Sequence, residues 1–188
     1  LASNDIFAKH LHIPLQSGSE EILKLMRRKY NKLEFEEHIK MIRSKIPGIA
    51  ITTDVIVGFP TETDDMFEEM YQFIKHISFS ELHVFPYSKR SGTKAAQMKE
   101  QINGIVKSMR VNRLLELNES LAVSYINSQR DNAISVLFES SNETSTFGHS
   151  DTYIYVKVDK DESLHNKIKD VVIKQIEYKN TYGQIKKA

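Results

Sequence analysis

Three polar segments of the chain carry side chains that could bind a ligand. They are QSGS at residues 16–19, GFPTET at 58–63 and YSKRSGT at 87–93. Each follows a short apolar run, so each is expected at the end of a strand. Together they offer amide, hydroxyl, carboxylate and guanidinium groups close to the apolar Ile56 and Phe59. This combination suits a ligand with an aromatic base, a ribose and charged ends.

Each segment also has a simpler structural interpretation. Ser17 or Ser19 could cap the helix that begins near Glu20, and Ser17 with Glu20 fits a capping box. Thr63 or Asp64 could cap the next helix, and the third segment could be a surface loop. Because all three segments fall at expected strand ends, where parallel α/β sheets bind ligands, we favour a shared binding site.

No metal centre is predicted. The chain has no cysteine, which excludes a thiolate metal site, a disulfide and a cysteine nucleophile. His10 and His12 stand two positions apart without a second pair of ligands, and no phosphate-binding glycine loop is present. Asp54 lies within an apolar strand, where its carboxylate must face a polar interior space or pair with an arginine. We favour the polar space.

The composition is that of a globular protein with one or two domains. The 188 residues are 40% hydrophobic and 27% charged, and the net charge is +1. Any basic surface must therefore be local. No apolar run is long enough for a membrane span and no signal peptide is recognisable, so we expect a cytoplasmic location and no membrane partner. The abrupt start without Met leads us to expect a piece of a longer protein.

Strand and helix signals alternate through the first hundred residues. Strands are predicted at 11–15, 49–58 and 81–85, and helices at 20–29, at 35–43 and after residue 63. The strand at 49–58 is β-branched and mostly apolar, as a strand covered on both faces would be. Helices between successive strands indicate a parallel sheet. Three strands are too few to close a barrel, so we expect the last portion of a larger α/β barrel.

The pattern changes after residue 98. We predict an α/β domain over 1–98, a linking helix within 99–132 and a small antiparallel β-barrel over 133–188. Strands of that barrel are expected at 135–139, 153–158 and 171–178. On such a strand Tyr153, Tyr155 and Lys157 share one face, which is either a binding surface or an ordinary half-buried sheet face.

The segments resemble a known family. HIPLQSGS at 12–19 with LMRRKY at 25–30, and DVIVGFPTET at 54–63, resemble the radical SAM methylthiotransferases of the MiaB type. HVFPYSKRSGTKAA at 83–96 is most similar to the MtaB branch, which modifies threonylcarbamoyladenosine next to the tRNA anticodon. The close resemblance covers about residues 8–130. FGHSDTYI at 147–154 is more loosely similar to the TRAM domain, a small RNA-binding barrel.

The resemblance implies the C-terminal part of a radical SAM partial TIM-like barrel, followed by a TRAM-like barrel. It implies an enzyme that uses S-adenosyl-L-methionine (SAM) and two 4Fe-4S clusters to install a 2-methylthio group on N6-modified adenosine in the tRNA anticodon stem-loop. This cysteine-free chain would ligate neither cluster and would not turn over alone. The full-length enzyme is expected to be a monomer, whereas an exposed edge at 11–15 would favour self-association of this chain.

The resemblance also assigns binding residues, but no catalytic residue. Those expected to bind the cofactor are Gln16, Ser17, Ile56, Gly58, Phe59, Tyr87, Ser88 and Arg90, and those expected to bind RNA are Tyr153, Tyr155 and Lys157. Thr61 replaces the usual family glycine, which leaves the role of Glu62 open. Arg27 and Arg28 either reach a carboxylate or phosphate or are simply solvated.

Two other functions stay open from the sequence. The chain could be a non-catalytic tRNA-binding module, or it could belong to the ribosomal-protein methylthiotransferases. A C-x-x-x-C-x-x-C motif upstream would support the enzyme, whereas a natural start before Leu1 would support the binding module. The segments HIPLQSG and FPYSKRSGT argue against the ribosomal-protein subclass.

Overall fold

The computed structural model describes residues 4, 6–130 and 132–186. Within these residues the chain forms two compact units. The sheet unit comprises His12–Lys45 and Ile51–Leu121. The barrel unit comprises Ile46–Ala50 and the described parts of Leu1–Leu11 and Ala122–Ala188.

Strands and helices alternate in the first hundred residues, as predicted. The elements are β1 (His10–His12), α1 (Glu20–Leu25), α2 (Lys32–Lys45), β2 (Ala50–Val57), α3 (Asp64–Ile77), β3 (Glu81–Pro86) and α4 (Lys94–Gln97). The strands form one sheet in the order β1-β2-β3, and β2 pairs in parallel with β3. The predicted parallel sheet is thus confirmed. Helix α1 is shorter than the predicted 20–29, because Arg27 adopts a left-handed φ of 58°.

Strand β2 has one closed face and one partly open face. Ile51, Val55 and Val57 are buried at 1% exposure or less, whereas Asp54 and Ile56 on the alternate face are partly exposed. The expectation that both faces are covered is therefore wrong for the second half of the strand. Successive side chains of a strand point to opposite faces, so Asp54 and Ile56 face the open side of the sheet.

The two helix starts differ from each other. Thr63 caps α3 as predicted, because its hydroxyl accepts the Met66 N–H at 3.2 Å. The capping-box prediction for α1 is wrong, since Ser19 occupies the N-cap position without a side-chain capping bond. The Ser17 hydroxyl instead accepts the Ser19 N–H at 3.2 Å and is fully buried.

The long helix α5 (Gly104–Ser128) lies within the segment 99–132, for which a linking helix is predicted. Its first part packs within the sheet unit, where Leu114 and Leu117 are buried. Asn118 Oδ1 accepts the Leu82 N–H at 2.7 Å, which ties this helix to β3. The change from the sheet unit to the barrel unit falls within α5, between residues 121 and 122.

The barrel unit contains a closed five-stranded barrel. Its strands are β4 (Ala133–Ser141), β5 (Ser145–Ser150), β6 (Tyr155–Asp159), β7 (Ile168–Gln175) and β8 (Thr181–Ile185), with a 3₁₀ helix at Glu162–Leu164. Their order is β4-β5-β6-β8-β7. The predicted small barrel is confirmed, but it is not strictly antiparallel, because β6 and β8 run parallel. The sequence reading missed β5 and β8.

The barrel core is apolar and continuous. Its buried members are Ile126, Ile134, Val136, Phe138, Ile154, Val156, Val158, Leu164, Val171 and Ile173. Buried residues alternate with more exposed ones along β4 and β6, as expected for a small barrel filled by its own side chains. Among the described helices, none combines the length and the apolar character that crossing a bilayer requires.

Candidate functional site

A groove of about 610 Å³ lies at the C-terminal edge of the parallel sheet, and we call it the strand-end groove. Its lining residues are Gln16, Asp54, Ile56, Phe85, Pro86, Tyr87, Ser88, Arg90, Thr93 and Ala95. They come from the segment that follows β1, from β2 and β3, and from the loop and the short helix α4 after β3. An apolar floor with amide, hydroxyl and guanidinium groups at its margin is typical of a site for a mixed apolar and charged ligand.

The first corner is held against β2 by backbone hydrogen bonds. The Gln16 N–H donates to the Asp54 carbonyl at 2.8 Å, and the Ile56 N–H donates to the Gln16 carbonyl at 2.9 Å. Gln16 has a positive φ of 67°, which is uncommon for a residue with a side chain. Its amide lies in the groove lining, so this unusual backbone conformation places a polar side chain at the site.

The second corner begins at Gly58, which has a φ of +69°. A Cβ atom at this position would lie 2.4 Å from Lys107 Cγ, so the aliphatic stem of Lys107 closes directly over the glycine. The same lysine donates from Nζ to the Tyr87 carbonyl at 2.9 Å. Lys107 of α5 therefore links the second corner to the third.

The third corner is anchored by Tyr87. Its N–H donates to the Val57 carbonyl at 2.8 Å, and its ring meets Phe59 edge-on at a centroid distance of 5.3 Å. The Tyr87 hydroxyl is buried and has no hydrogen-bond partner within the described residues. A buried hydroxyl without a partner is unfavourable, and a ligand in the adjoining groove could satisfy it.

A buried ion pair supports the second corner. Arg110 of α5 donates from Nη1 to Glu62 Oε1 at 2.7 Å and from Nη2 to Asp64 Oδ1 at 2.7 Å. The Gly58 N–H donates to the same Glu62 oxygen at 2.8 Å. Burial raises the pKa of the Glu62 carboxyl above its ordinary value, although the Gly58 N–H and the Arg110 guanidinium oppose this shift. Glu62 thus organises the corner from inside the protein.

The structure brings most of the predicted cofactor residues together. Gln16, Ile56, Tyr87, Ser88 and Arg90 line the strand-end groove. A neighbouring pocket of about 400 Å³ shares Ile56, Tyr87 and Ala95 with it. Its further lining residues include Phe59, Arg27, Arg28 and Lys94.

Two predicted cofactor residues lie outside these linings. The Ser17 side chain is buried, and its hydroxyl donates towards Met70 Sδ at 3.7 Å, so its prediction as a side-chain ligand is not supported. Gly58 is packed under Lys107 and acts through its backbone. The partner of Asp54 is imidazole rather than arginine, since His12 Nε2 lies 3.3 Å from its carboxylate.

Sequence reasoning missed Lys107 and Arg110. Both lie in the first turns of α5, which we had interpreted only as a linking helix. Arg110 falls at a position that is 5% exposed, but helical periodicity assigns arginine to the solvent side by default. The available signal was Glu62, a carboxylate close to the end of an apolar strand, which requires a cationic partner if it is buried.

A second surface of possible function lies on the barrel unit, and we call it the ring ladder. Its members, in order of contact, are His10, Tyr153, His149, Tyr155 and Phe147. Neighbouring ring centroids are 4.9, 4.9, 5.0 and 5.7 Å apart. Tyr153 is 59% exposed and has a φ of 66°, so a strained backbone presents an open aromatic face.

The predicted RNA residues only partly share a strand. Tyr153 precedes β6, whereas Tyr155 and Lys157 lie within it. His149 pairs with Tyr155 and Phe147 pairs with Lys157 across β5 and β6, so these side chains stand on the same outer surface. Lys157 is half-buried and lies 3.9 Å from Glu177. Among the described residues there is no cluster of side chains that could hold a metal ion.

The sheet unit and its strand-end groove define an α/β protein with a polar site beside the C-terminal ends of parallel strands. The sequence model of the Radical SAM superfamily matches residues 2–74. Coproporphyrinogen III oxidase (HemN) from Escherichia coli, described as a radical SAM enzyme, resembles the structure with a TM-score of 0.53. That alignment covers 82% of this chain and 42% of the oxidase at 14% identity, so the similarity concerns the fold alone.

Two relatives narrow the class. Threonylcarbamoyladenosine tRNA methylthiotransferase MtaB of Bacillus subtilis is 43% identical over 98% of this chain and 42% of its own length. The tRNA-2-methylthio-N(6)-dimethylallyladenosine synthase of Geobacillus kaustophilus is 41% identical over 77% of this chain and 27% of its own length. The chain is similar to the radical SAM methylthiotransferases of the MiaB type. It spans less than half the length of these relatives.

Proposed function

We propose that this chain is the part of a tRNA methylthiotransferase that forms one side of the cofactor and substrate site and binds the RNA. The enzyme installs a 2-methylthio group on an N6-modified adenosine next to the anticodon. The observation that carries this proposal is the convergence of Gln16, residues of β2 and the segment after β3 on one groove, in a chain 43% identical to a tRNA methylthiotransferase. The relatives' names favour tRNA over a ribosomal protein as the substrate.

The strand-end groove fits SAM. Its volume of about 610 Å³ lies in the range of small-molecule sites. We propose that Ile56 and Tyr87 of the groove, with Phe59 of the neighbouring pocket, hold the adenine, and that Gln16, Ser88 and Arg90 bind the ribose and amino-acid groups. The buried, unpartnered Tyr87 hydroxyl supplies a hydrogen bond that no described residue satisfies.

The cofactor supplies radical chemistry when it is bound and reduced by an iron–sulfur cluster. The contribution of this chain is to orient the cofactor and to separate it from water with the apolar Ile56 and Phe85. We propose that two 4Fe-4S clusters are held by other segments of the enzyme, because this sequence provides no thiolate ligand.

The ring ladder is proposed as the RNA-binding surface. Exposed aromatic faces stack on unpaired bases without requiring a particular sequence, and an anticodon loop offers such bases. Tyr153 and Tyr155 supply the rings, and Lys157 supplies a cation for the phosphate backbone.

We interpret the closed barrel as TRAM-like and the sheet unit as part of a TIM-like barrel, with domain limits at 1–98, 99–132 and 133–188. The tRNA substrate implies a cytoplasmic enzyme, and we propose that it acts as a monomer.

Mass spectrometry of tRNA nucleosides tests the reaction. Deletion of the gene that encodes this chain should remove one methylthio-adenosine and leave its unmodified precursor in its place. Unchanged methylthio-adenosines would contradict the proposal.

Calorimetric titration with S-adenosyl-L-homocysteine tests the groove separately. Gln16→Ala and Tyr87→Phe should each weaken binding by about tenfold, because each removes one or two hydrogen bonds to the ligand. The exposed Gln72→Ala is the matched control and should bind as the unchanged chain does. Equal affinities of all three variants for S-adenosyl-L-homocysteine would contradict the assignment of the groove as the cofactor site.

A further inference from the structure

The open face of the parallel sheet carries a polar cluster next to the residues that form the groove floor. His12 Nε2 lies 3.3 Å from Asp54 Oδ1, and His83 Nδ1 lies 3.8 Å from the same oxygen. We call these three side chains the histidine–aspartate cluster. Asp54 also lines the strand-end groove, so the cluster and the groove form one continuous surface.

The cluster is fixed by the sheet rather than by flexible side chains. His12 Nδ1 lies 3.0 Å from Thr52 Oγ1. The Thr52 contact orients the ring through Nδ1, and Nε2 then lies at ion-pair distance from the Asp54 carboxylate. The strand register places His83 directly opposite Asp54. Ile56 and Phe85, the next facing pair towards the C-terminal edge, form the apolar part of the groove.

Two polar atoms of the cluster are available to a ligand. Within the part of the chain that the structure describes, Asp54 Oδ2 and His83 Nε2 have no hydrogen-bond partner. The side chains of Asp54 and His83 are 28% and 49% exposed, so a ligand can reach both. The carboxylate oxygen accepts a hydrogen bond, and a protonated ring nitrogen donates one. An apolar ligand would cover both atoms without satisfying either, which is unfavourable.

We propose that the histidine–aspartate cluster recognises the substituent on N6 of the target adenosine and selects a polar substituent over a hydrocarbon one. This inference rests on the proposed function. A threonylcarbamoyl group, named for one relative, has N–H and O–H donors for Asp54 and carbonyl and carboxylate acceptors for His83. A dimethylallyl group, named for the other, is a hydrocarbon and has neither.

The test uses the full-length enzyme and two RNA hairpins of one sequence. One hairpin carries threonylcarbamoyladenosine and the other carries dimethylallyladenosine, and methylthiolation of both is measured in competition. Asp54→Asn and His83→Phe should lower kcat/KM for the threonylcarbamoyl hairpin, relative to that for the other hairpin, by roughly tenfold or more. His38→Phe, an exposed histidine of α2, is the matched control and should change neither value. An unchanged ratio between the two substrates in both cluster variants overturns the inference.

A binding experiment separates this inference from the proposed function. In the 188-residue chain with ¹⁵N-labelled histidine, the imidazole signals of His12 and His83 should shift on addition of N6-threonylcarbamoyladenosine. They should not shift with N6-dimethylallyladenosine. If the enzyme modifies neither hairpin but these signals still respond selectively, the proposed reaction is contradicted and the proposed recognition site is supported. Equal responses to both nucleosides, or no response to either, would remove the site.

Discussion

Arg110 and Glu62 lie 48 positions apart in the chain, yet Arg110 Nη1–H donates to Glu62 Oε1 at 2.7 Å with both residues buried. The same carboxylate oxygen accepts the Gly58 N–H. Helix α5 is thereby joined to the corner that follows β2. The corner depends on this pair, because a charged group buried without its partner is strongly unfavourable.

Replacement of Arg110 by methionine should destabilise the chain by about 3–5 kcal/mol, because it leaves the buried Glu62 carboxylate without its cation. Urea denaturation measures the free energy of unfolding. Arg113→Met is the matched control, since Arg113 is half-exposed and pairs with Glu68 at the surface. Its effect should be much smaller. Comparable losses in the two variants would contradict the importance of the buried pair.

Gly58→Ala should destabilise the chain more than Gly92→Ala. Both glycines have a positive φ, so both substitutions strain the backbone. Only at position 58 does the new methyl group meet another atom, Lys107 Cγ at 2.4 Å, whereas nothing lies within 4 Å at position 92. We expect an additional cost of about 1–3 kcal/mol at position 58.

Thermal and urea unfolding of the two glycine variants check this difference. The double variant Gly58→Ala with Lys107→Ala should recover part of the loss, since it removes the clashing stem. Equal stabilities of the two single variants would show that Lys107 moves aside without cost.

The raised pKa of Glu62 predicts a pH dependence of stability. Between the ordinary value of 4.5 and the raised pKa, the folded chain retains a proton on Glu62 that the unfolded chain has lost. This group therefore makes the free energy of unfolding decrease as the pH rises from 4.5 through the raised pKa. Glu62→Gln should remove that slope, whereas the exposed Glu119→Gln should retain it. Urea denaturation across this pH interval measures the slope, and an unchanged slope in Glu62→Gln would contradict the assignment.

Tyr153→Ala should weaken binding of an unpaired RNA loop by about 1–3 kcal/mol, because it removes a stacking surface. Tyr153→Phe keeps the ring and should bind nearly as the original does. Fluorescence anisotropy at several salt concentrations distinguishes stacking from charge. The salt dependence should stay the same in Tyr153→Ala and become shallower in Lys157→Gln. Equal affinities of the alanine and phenylalanine variants would exclude the ring ladder as an RNA surface.

The parallel sheet could be predicted from the sequence because its signals are local. Apolar runs such as 49–58 ended at Gly and Pro, and amphipathic stretches lay between them. The polar segments at the strand ends then fell together because parallel strands share one C-terminal edge. The partners of Glu62 and Gly58 could not be predicted in this way. Arg110 and Lys107 reach them through long-range packing that no local pattern records.

Strand β5 illustrates why part of the barrel was missed. Its sequence STFGHS contains Gly148 and polar residues, which is typical of a turn. The glycine has a structural reason, since a Cβ there would lie 2.0 Å from the Leu137 carbonyl oxygen on the neighbouring strand. Such close backbone approach is a property of the assembled barrel. The ring ladder was only partly anticipated, because His10 meets Tyr153 from a distant part of the chain.

The position of β8 has a consequence for biosynthesis. Strand β8 pairs with both β6 and β7 and is the last of the five strands to leave the ribosome. Until it emerges, β6 and β7 each present an unpaired edge that can join to other chains. Nascent copies of this protein therefore pass through an interval in which they are prone to aggregate. A ribosome-associated chaperone, or a wide spacing of ribosomes along the mRNA, would reduce aggregation during this interval.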